Sequence, residues 1–86
     1  MVTRPQWLPK AMKQLKKIGD RGIQERILAA TRGLADFPEC PNVKWLTNHE
    51  YTHRLRVGDW RVLFNVFMEI SIASIEEVKK RDESTY

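Results

Sequence analysis

The dipeptide Gly58-Asp59, set between two runs of alternating character, constrains this chain more than any other feature of its 86 residues. Tyr51 to Val57 and Trp60 to Phe67 are strand-like, rich in β-branched and aromatic residues, and a two-residue loop with glycine first is a type II′ hairpin signal. A loop this short fixes the strand register, and the register decides which side chains share a face. Val57 falls opposite Trp60, Leu55 opposite Val62, His53 opposite Phe64 and Tyr51 opposite Val66, so one face is almost wholly apolar and is expected to be packed. The other face pairs Arg56 with Arg61, Arg54 with Leu63 and Thr52 with Asn65, and an antiparallel sheet commonly leaves such a face wet.

The cover for the apolar face lies upstream. Leu8, Met12, Leu15 and Ile18 recur at helical spacing behind Pro9, whose missing N–H costs nothing in a first turn. Gly19 stops that helix, and Asp20 is placed to cap a second one with Ile23, Ile27, Ala30 and Leu34 on a single stripe. Phe37-Pro38 ends it, because the residue before a proline is pushed out of the α region. Residues 38–50 read mostly as loop, pinned to the core by Val43, Trp45 and Leu46. Ile70 to Val78 gives a third strand entered through Met68-Glu69, and Pro5 confines any strand in the first six residues to an edge. The expected fold is a single α+β domain over residues 1–86, two N-terminal helices packed on a small twisted antiparallel sheet.

A tight turn at Met68-Glu69 would set Ile75 beside Val62, Ala73 beside Phe64 and Glu76 beside Arg61. Arg54, Arg56, Arg61 and Glu76 would then cluster at one end of the open face, beside an apolar strip of Leu63, Phe67, Ile70 and Ile72. Fifteen Lys and Arg against eleven Asp and Glu give a net charge of +4, which biases a small domain toward nucleic acid or an acidic partner. Three arginines on adjacent strands with one acidic partner repel one another, so a phosphate or an acidic partner is the expected ligand. The plain alternative is a solvated face in which Arg61 pairs with Glu76. The longest charge-poor stretch, Val62 to Ile75, is broken by Asn65, Glu69 and two serines, and no segment reads as membrane-spanning. The lone Cys40 leaves no internal disulfide, and with His49 and His53 it lacks a fourth zinc ligand. A cytoplasmic protein without metal or other cofactor is expected.

The run His53-Arg54-Leu55-Arg56-Val57-Gly58-Asp59-Trp60-Arg61-Val62-Leu63-Phe64 resembles the central signature of the RelE/ParE superfamily of bacterial toxins. The ending Val78-Lys79-Lys80-Arg81-Asp82-Glu83-Ser84-Thr85-Tyr86 is similar to that family's basic C-terminal segment with its terminal tyrosine. The resemblance is closer to the RelE-like branch, and it implies a toxin of a type II toxin–antitoxin system that cuts translated messenger RNA on the ribosome without a metal. It implies a cognate antitoxin as partner, operator DNA bound only through the antitoxin complex, and no membrane.

By the same resemblance, Arg61 takes the place of the arginine that holds the scissile phosphate. Arg81 matches the arginine that stabilises charge and protonates the leaving group, and Tyr86 matches the tyrosine that packs on a base. Arg54 stands where RelE has a lysine, and Thr52 where it has another. Arg56, Lys79 and Lys80 are further candidates for RNA contact, although Arg56 belongs to the hairpin motif throughout the superfamily and Lys79 and Lys80 have a solvated tail as their alternative.

Metal-free cleavage needs a base for the 2′-hydroxyl, charge stabilisation and an acid. An arginine is protonated at any ordinary pH, so Arg54 stabilises charge but is a poor base. Glu76 or a histidine would take the proton, or positioning alone does the work. Two other readings stand beside this one: a ParE-like toxin that poisons DNA gyrase without chemistry, and an inactive homologue acting as co-repressor with its antitoxin. His53 falls on the apolar face and reads as a hydrogen-bonded core histidine. Trp7, Trp45 and Trp60 read as core aromatics.

Overall fold

A computed structural model of the protein describes residues 3–81. Five strands form one sheet in the order β1-β5-β4-β3-β2, with β1 at Arg4–Trp7, β2 at Val43–Trp45, β3 at His53–Val57, β4 at Trp60–Phe67 and β5 at Ile72–Lys80. Two helices, α1 at Pro9–Lys16 and α2 at Arg21–Arg32, lie between β1 and β2 in the chain, and α2 runs on into a 3₁₀ turn at Gly33–Asp36. Pro9 stands at the first helical position of α1, and the Asp20 side chain caps α2 by accepting from the Ile23 N–H at 3.1 Å.

The hairpin sets the rest. Gly58 has φ 59°, the left-handed conformation that the first central residue of a type II′ turn requires. The β3–β4 register matches the sequence expectation from His53↔Phe64 through Val57↔Trp60. Ala11, Leu15, Ile18, Ile27 and Leu34 from the helical half bury against Leu55, Val57, Val62, Phe64, Ala73, Ile75 and Val78 of the sheet. Phe64 is fully buried, so the apolar face is the packed one.

The expected sheet is extended at both edges. β1 pairs parallel to β5, from Arg4↔Ile72 to Trp7↔Ile75, so the sheet is mixed; Pro5 does lie in an edge strand. Within the segment read as loop, Val43–Trp45 forms β2 on the opposite edge, antiparallel to β3. Trp45 is corrected: it is 74% exposed at the end of this edge strand, its ring tilted over His53, whereas Val43 of the same strand does pack against the core. Tyr51 is also corrected. The ladder ends at His53, where the Asn65 side chain accepts from the Thr52 N–H and the Thr52 hydroxyl accepts from the Val66 N–H. These side chains replace the backbone bonds that would have carried Tyr51 opposite Val66, and the Tyr51 hydroxyl instead meets Glu77.

The β4–β5 register departs most. A 3₁₀ turn at Met68–Ile70 followed by Ser71 at φ 53° replaces the tight Met68-Glu69 turn. The partner of Phe64 moves from the expected Ala73 to Ile75, a shift of two that leaves faces unchanged. A bulge between Leu63 and Phe64 then adds one more residue, so Val62 pairs with Val78 and Arg61 with Lys79 rather than Glu76. Among the described residues no helix is long and apolar enough to cross a membrane.

Candidate nucleic-acid interface

Successive rungs of the ladder stack cations on the face away from the helices. One rung runs Arg56, Arg61, Lys79 across β3, β4 and β5; the next runs Lys44, Arg54, Leu63, Glu77 from β2 to β5. Strands spaced about 4.8 Å apart place the first rung within a span of about 10 Å. Arg61 is held tightly, 7% exposed, its Nη1 donating to the carbonyls of Gly58 and Trp60 at 2.9 Å each. The arginine that the resemblance assigns to the scissile phosphate is therefore fixed by the hairpin turn that the sequence announces. The Arg81 N–H donates to the Asp59 carbonyl at 2.7 Å, which ties the start of the C-terminal segment to the same end of the hairpin.

Leu63 lies in the middle of this face at 1% exposure. Around it sits a network the sequence reading did not anticipate. The Tyr51 hydroxyl donates to Glu77 Oε2 at 3.0 Å, and Lys79 Nζ and Lys10 Nζ lie 3.4 and 3.6 Å from Glu77 Oε1. Burial would raise the Glu77 pKa, but the Tyr51 hydroxyl and the two ammonium groups outweigh it and hold the carboxyl below its usual range. Burial, with the Glu77 and Glu50 carboxylates facing the hydroxyl, pushes the Tyr51 pKa up. Neither group is poised to accept a proton at neutral pH.

The remaining candidates separate. Glu76 is the extra residue of the bulge and accepts from the Ser74 hydroxyl at 2.7 Å; it lies three residues along β5 from Lys79, the partner of Arg61, so the expected Arg61–Glu76 juxtaposition is corrected. Lys80 faces Trp60 on the helix side of the sheet, away from the arginines. His53 is on the packed face, stacked on Phe64 at 5.4 Å and edge-on to Phe37 at 5.1 Å, and burial lowers its pKa. Its Nδ1 is 2.8 Å from the Thr52 hydroxyl, so it is a hydrogen-bonded histidine beside the core. His49 Nδ1 accepts from the Tyr51 N–H at 3.1 Å. Tyr86 lies outside the described residues. Among the described residues no group of three or more His, Cys, Asp and Glu is arranged to hold a metal ion.

The sequence departs from RelE's two lysines, yet the basic character of the region survives. Lys44, on a strand that the sequence did not reveal, is brought beside Arg54 by the β2–β3 register. An alternating Val-Lys-Trp triplet was the signal available for β2, too short to separate from the surrounding turns.

Comparison with known proteins identifies the family and the fold. Residues 6–84 match the model of the ParE toxin of type II toxin–antitoxin systems, parDE. No curated protein sequence matches the chain significantly. Among solved structures, the RelBE2 toxin–antitoxin complex from Mycobacterium tuberculosis is similar with a TM-score of 0.80 at 23% identity, covering 94% of this chain and 100% of that one. The archaeal RelE–RelB complex from Pyrococcus horikoshii gives 0.76 at 22% identity over 98% of this chain and 100% of that one. A mutant Escherichia coli toxin RelE in the free state gives 0.76 at 20% identity over 98% and 88%. The sheet order and helical hairpin are thus those of RelE toxins, and the chain belongs to the RelE/ParE superfamily, as a toxin of a type II toxin–antitoxin system.

Proposed function

We propose that the protein is a metal-free, ribosome-dependent endoribonuclease that cuts translated messenger RNA in the cytoplasm. The observation that carries this reading is the set of Arg54, Arg56 and Arg61 on one face of adjacent strands, with Arg61 anchored by two backbone carbonyls. A guanidinium fixed in this way is preorganised for phosphate and needs no rearrangement when charge develops.

In the reaction the 2′-oxygen attacks the adjacent phosphorus as its proton passes to water, the bond from phosphorus to the 5′-oxygen breaks, that oxygen takes a proton from water, and the products are a 2′,3′-cyclic phosphate and a 5′-hydroxyl. Arg61 and Arg54 hold the phosphate, and Arg81 stabilises the leaving oxygen as it takes a proton. Tyr86 orients a base by stacking. Arg56 and Lys44 contact the flanking backbone. No group on the cationic rungs is a base, since arginine and lysine are protonated at neutral pH and Glu77 is committed to its partners. In-line positioning of the 2′-hydroxyl by the ribosome therefore carries much of the rate, which accounts for the requirement for a ribosome. A cognate antitoxin is the natural partner, as two of the structural relatives are toxin–antitoxin complexes, and operator DNA is reached through that complex.

Arg61→Ala and Arg81→Ala should each abolish growth arrest while antitoxin binding stays nearly intact. Wild-type toxicity in either variant would sink the assignment. The ParE family match favours a second reading, a toxin that inhibits DNA gyrase by binding alone. Blocked supercoiling with intact messenger RNA would identify it.

A further inference from the structure

The cationic face carries one buried carboxylate, and the fold goes out of its way to put it there. Between Phe64↔Ile75 and Leu63↔Glu77, β5 contains one residue more than β4. Strict alternation from Ile75 would send Glu77 toward the helices and Val78 to the open face. The extra residue reverses this: Val78 is buried in the core opposite Val62, while Glu77 and Lys79 lie on the face of Arg54 and Arg61. Bulges commonly re-aim a side chain in this manner.

Once there, the carboxylate is saturated. Its side chain is 12% exposed, with Tyr51 on one oxygen and both Lys79 and Lys10 on the other. Along β5, Glu77 is two residues from Lys79, about 6.6 Å at strand rise. That lies inside the Debye length of about 8 Å at physiological salt, so a phosphate on the Arg61 rung feels this charge with little screening. A lysine ammonium already paired with a carboxylate is not free to neutralise a phosphate, and so displaces few of the counterions condensed on the nucleic acid.

We infer that Glu77 is a specificity-determining residue, an internal counter-anion that withholds Lys79 and Lys10 from nucleic-acid phosphates and confines the phosphate track on the sheet to Lys44, Arg54, Arg56 and Arg61. The inference rests on the proposed RNA-binding role of this face. It replaces Lys79 as an RNA ligand with Lys79 as the partner of Glu77. The consequence is weak affinity for free RNA, so that an RNA strand is engaged productively where a larger assembly presents it.

The test is fluorescence anisotropy of the full chain with a short 5′-labelled single-stranded RNA, without ribosomes, between about 50 and 200 mM salt. Glu77→Gln keeps the size of the side chain and an acceptor for Tyr51. It should bind about 3- to 10-fold tighter at the low-salt end, with the log–log salt slope steeper by about 0.7 for each lysine released. Lys79→Ala, which needs no change at Glu77, should weaken binding less than about 2-fold with the slope unchanged, whereas Arg61→Ala should cost more than about 10-fold. Unchanged or weaker binding by Glu77→Gln, or a loss in Lys79→Ala as large as in Arg61→Ala, overturns the role of Glu77. If Arg61→Ala does weaken binding in that case, the RNA face itself stands. Failure of the unaltered chain to bind RNA at all overturns both.

Discussion

Removing a single oxygen, in Tyr51→Phe, probes the network that shapes the open face. The hydroxyl is buried and donates to a carboxylate that is itself mostly out of water. A hydrogen bond to a charged group contributes about 1.5–3 kcal/mol, and a loss of about 2 kcal/mol is expected at pH 7. For a domain of this size that lowers the melting temperature by about 8–16 °C. The sign of the pH dependence follows from Glu77. Its folded pKa lies below the unfolded value, so its stabilisation is complete above about pH 4.3 and is lost as pH falls through the folded pKa. In the Phe variant that pKa rises toward its usual value. Once Glu77 is protonated the remaining bond is neutral, and the cost of the substitution falls to about 1 kcal/mol or less. Urea unfolding followed by tryptophan fluorescence, over a pH series from 7 down through the acid titration of Glu77, measures both. A cost below about 0.5 kcal/mol at pH 7, or a cost that does not fall as Glu77 is protonated, would refute the reasoning.

The core and the hairpin make separate demands. Phe64→Ala, at a fully buried position in contact with Phe37 and His53 rings, should cost about 3–5 kcal/mol and leave little folded protein at 37 °C, as read by circular dichroism. Gly58→Ala should cost about 1–3 kcal/mol through backbone strain at φ 59° alone, since an added Cβ would come no closer than 3.5 Å to the Arg26 side chain. Trp45→Ser, on an exposed edge, should change unfolding free energy by less than about 0.5 kcal/mol.

What could be read from the sequence was local. Gly58-Asp59 dictates the β3–β4 register from Val57↔Trp60 to His53↔Phe64, and with it the common face of Arg54, Arg56 and Arg61. Asp20 and Pro9 mark the helix starts because capping acts within one turn. The failures are all non-local or side-chain driven. Ser71 adopts a left-handed conformation without being glycine, so the β4–β5 turn left no signature. The bulge is a decision of the paired sheet rather than of β5 alone, and from it follow the misplacement of Glu76 and the unforeseen role of Glu77. Tyr51 was misassigned because Thr52 and Asn65 end the ladder with side-chain bonds that a period-two pattern does not encode. Lys10 reaches the site from α1, and Lys44 from a three-residue strand.

Primer extension on cellular messenger RNA after a brief pulse of expression, beside an Arg61→Ala control, bears most directly on the ribonuclease role. Discrete breaks within translated regions, absent from the control, are expected. Intact transcripts in arrested cells would contradict that role and point instead to a toxin that binds its target without cutting RNA.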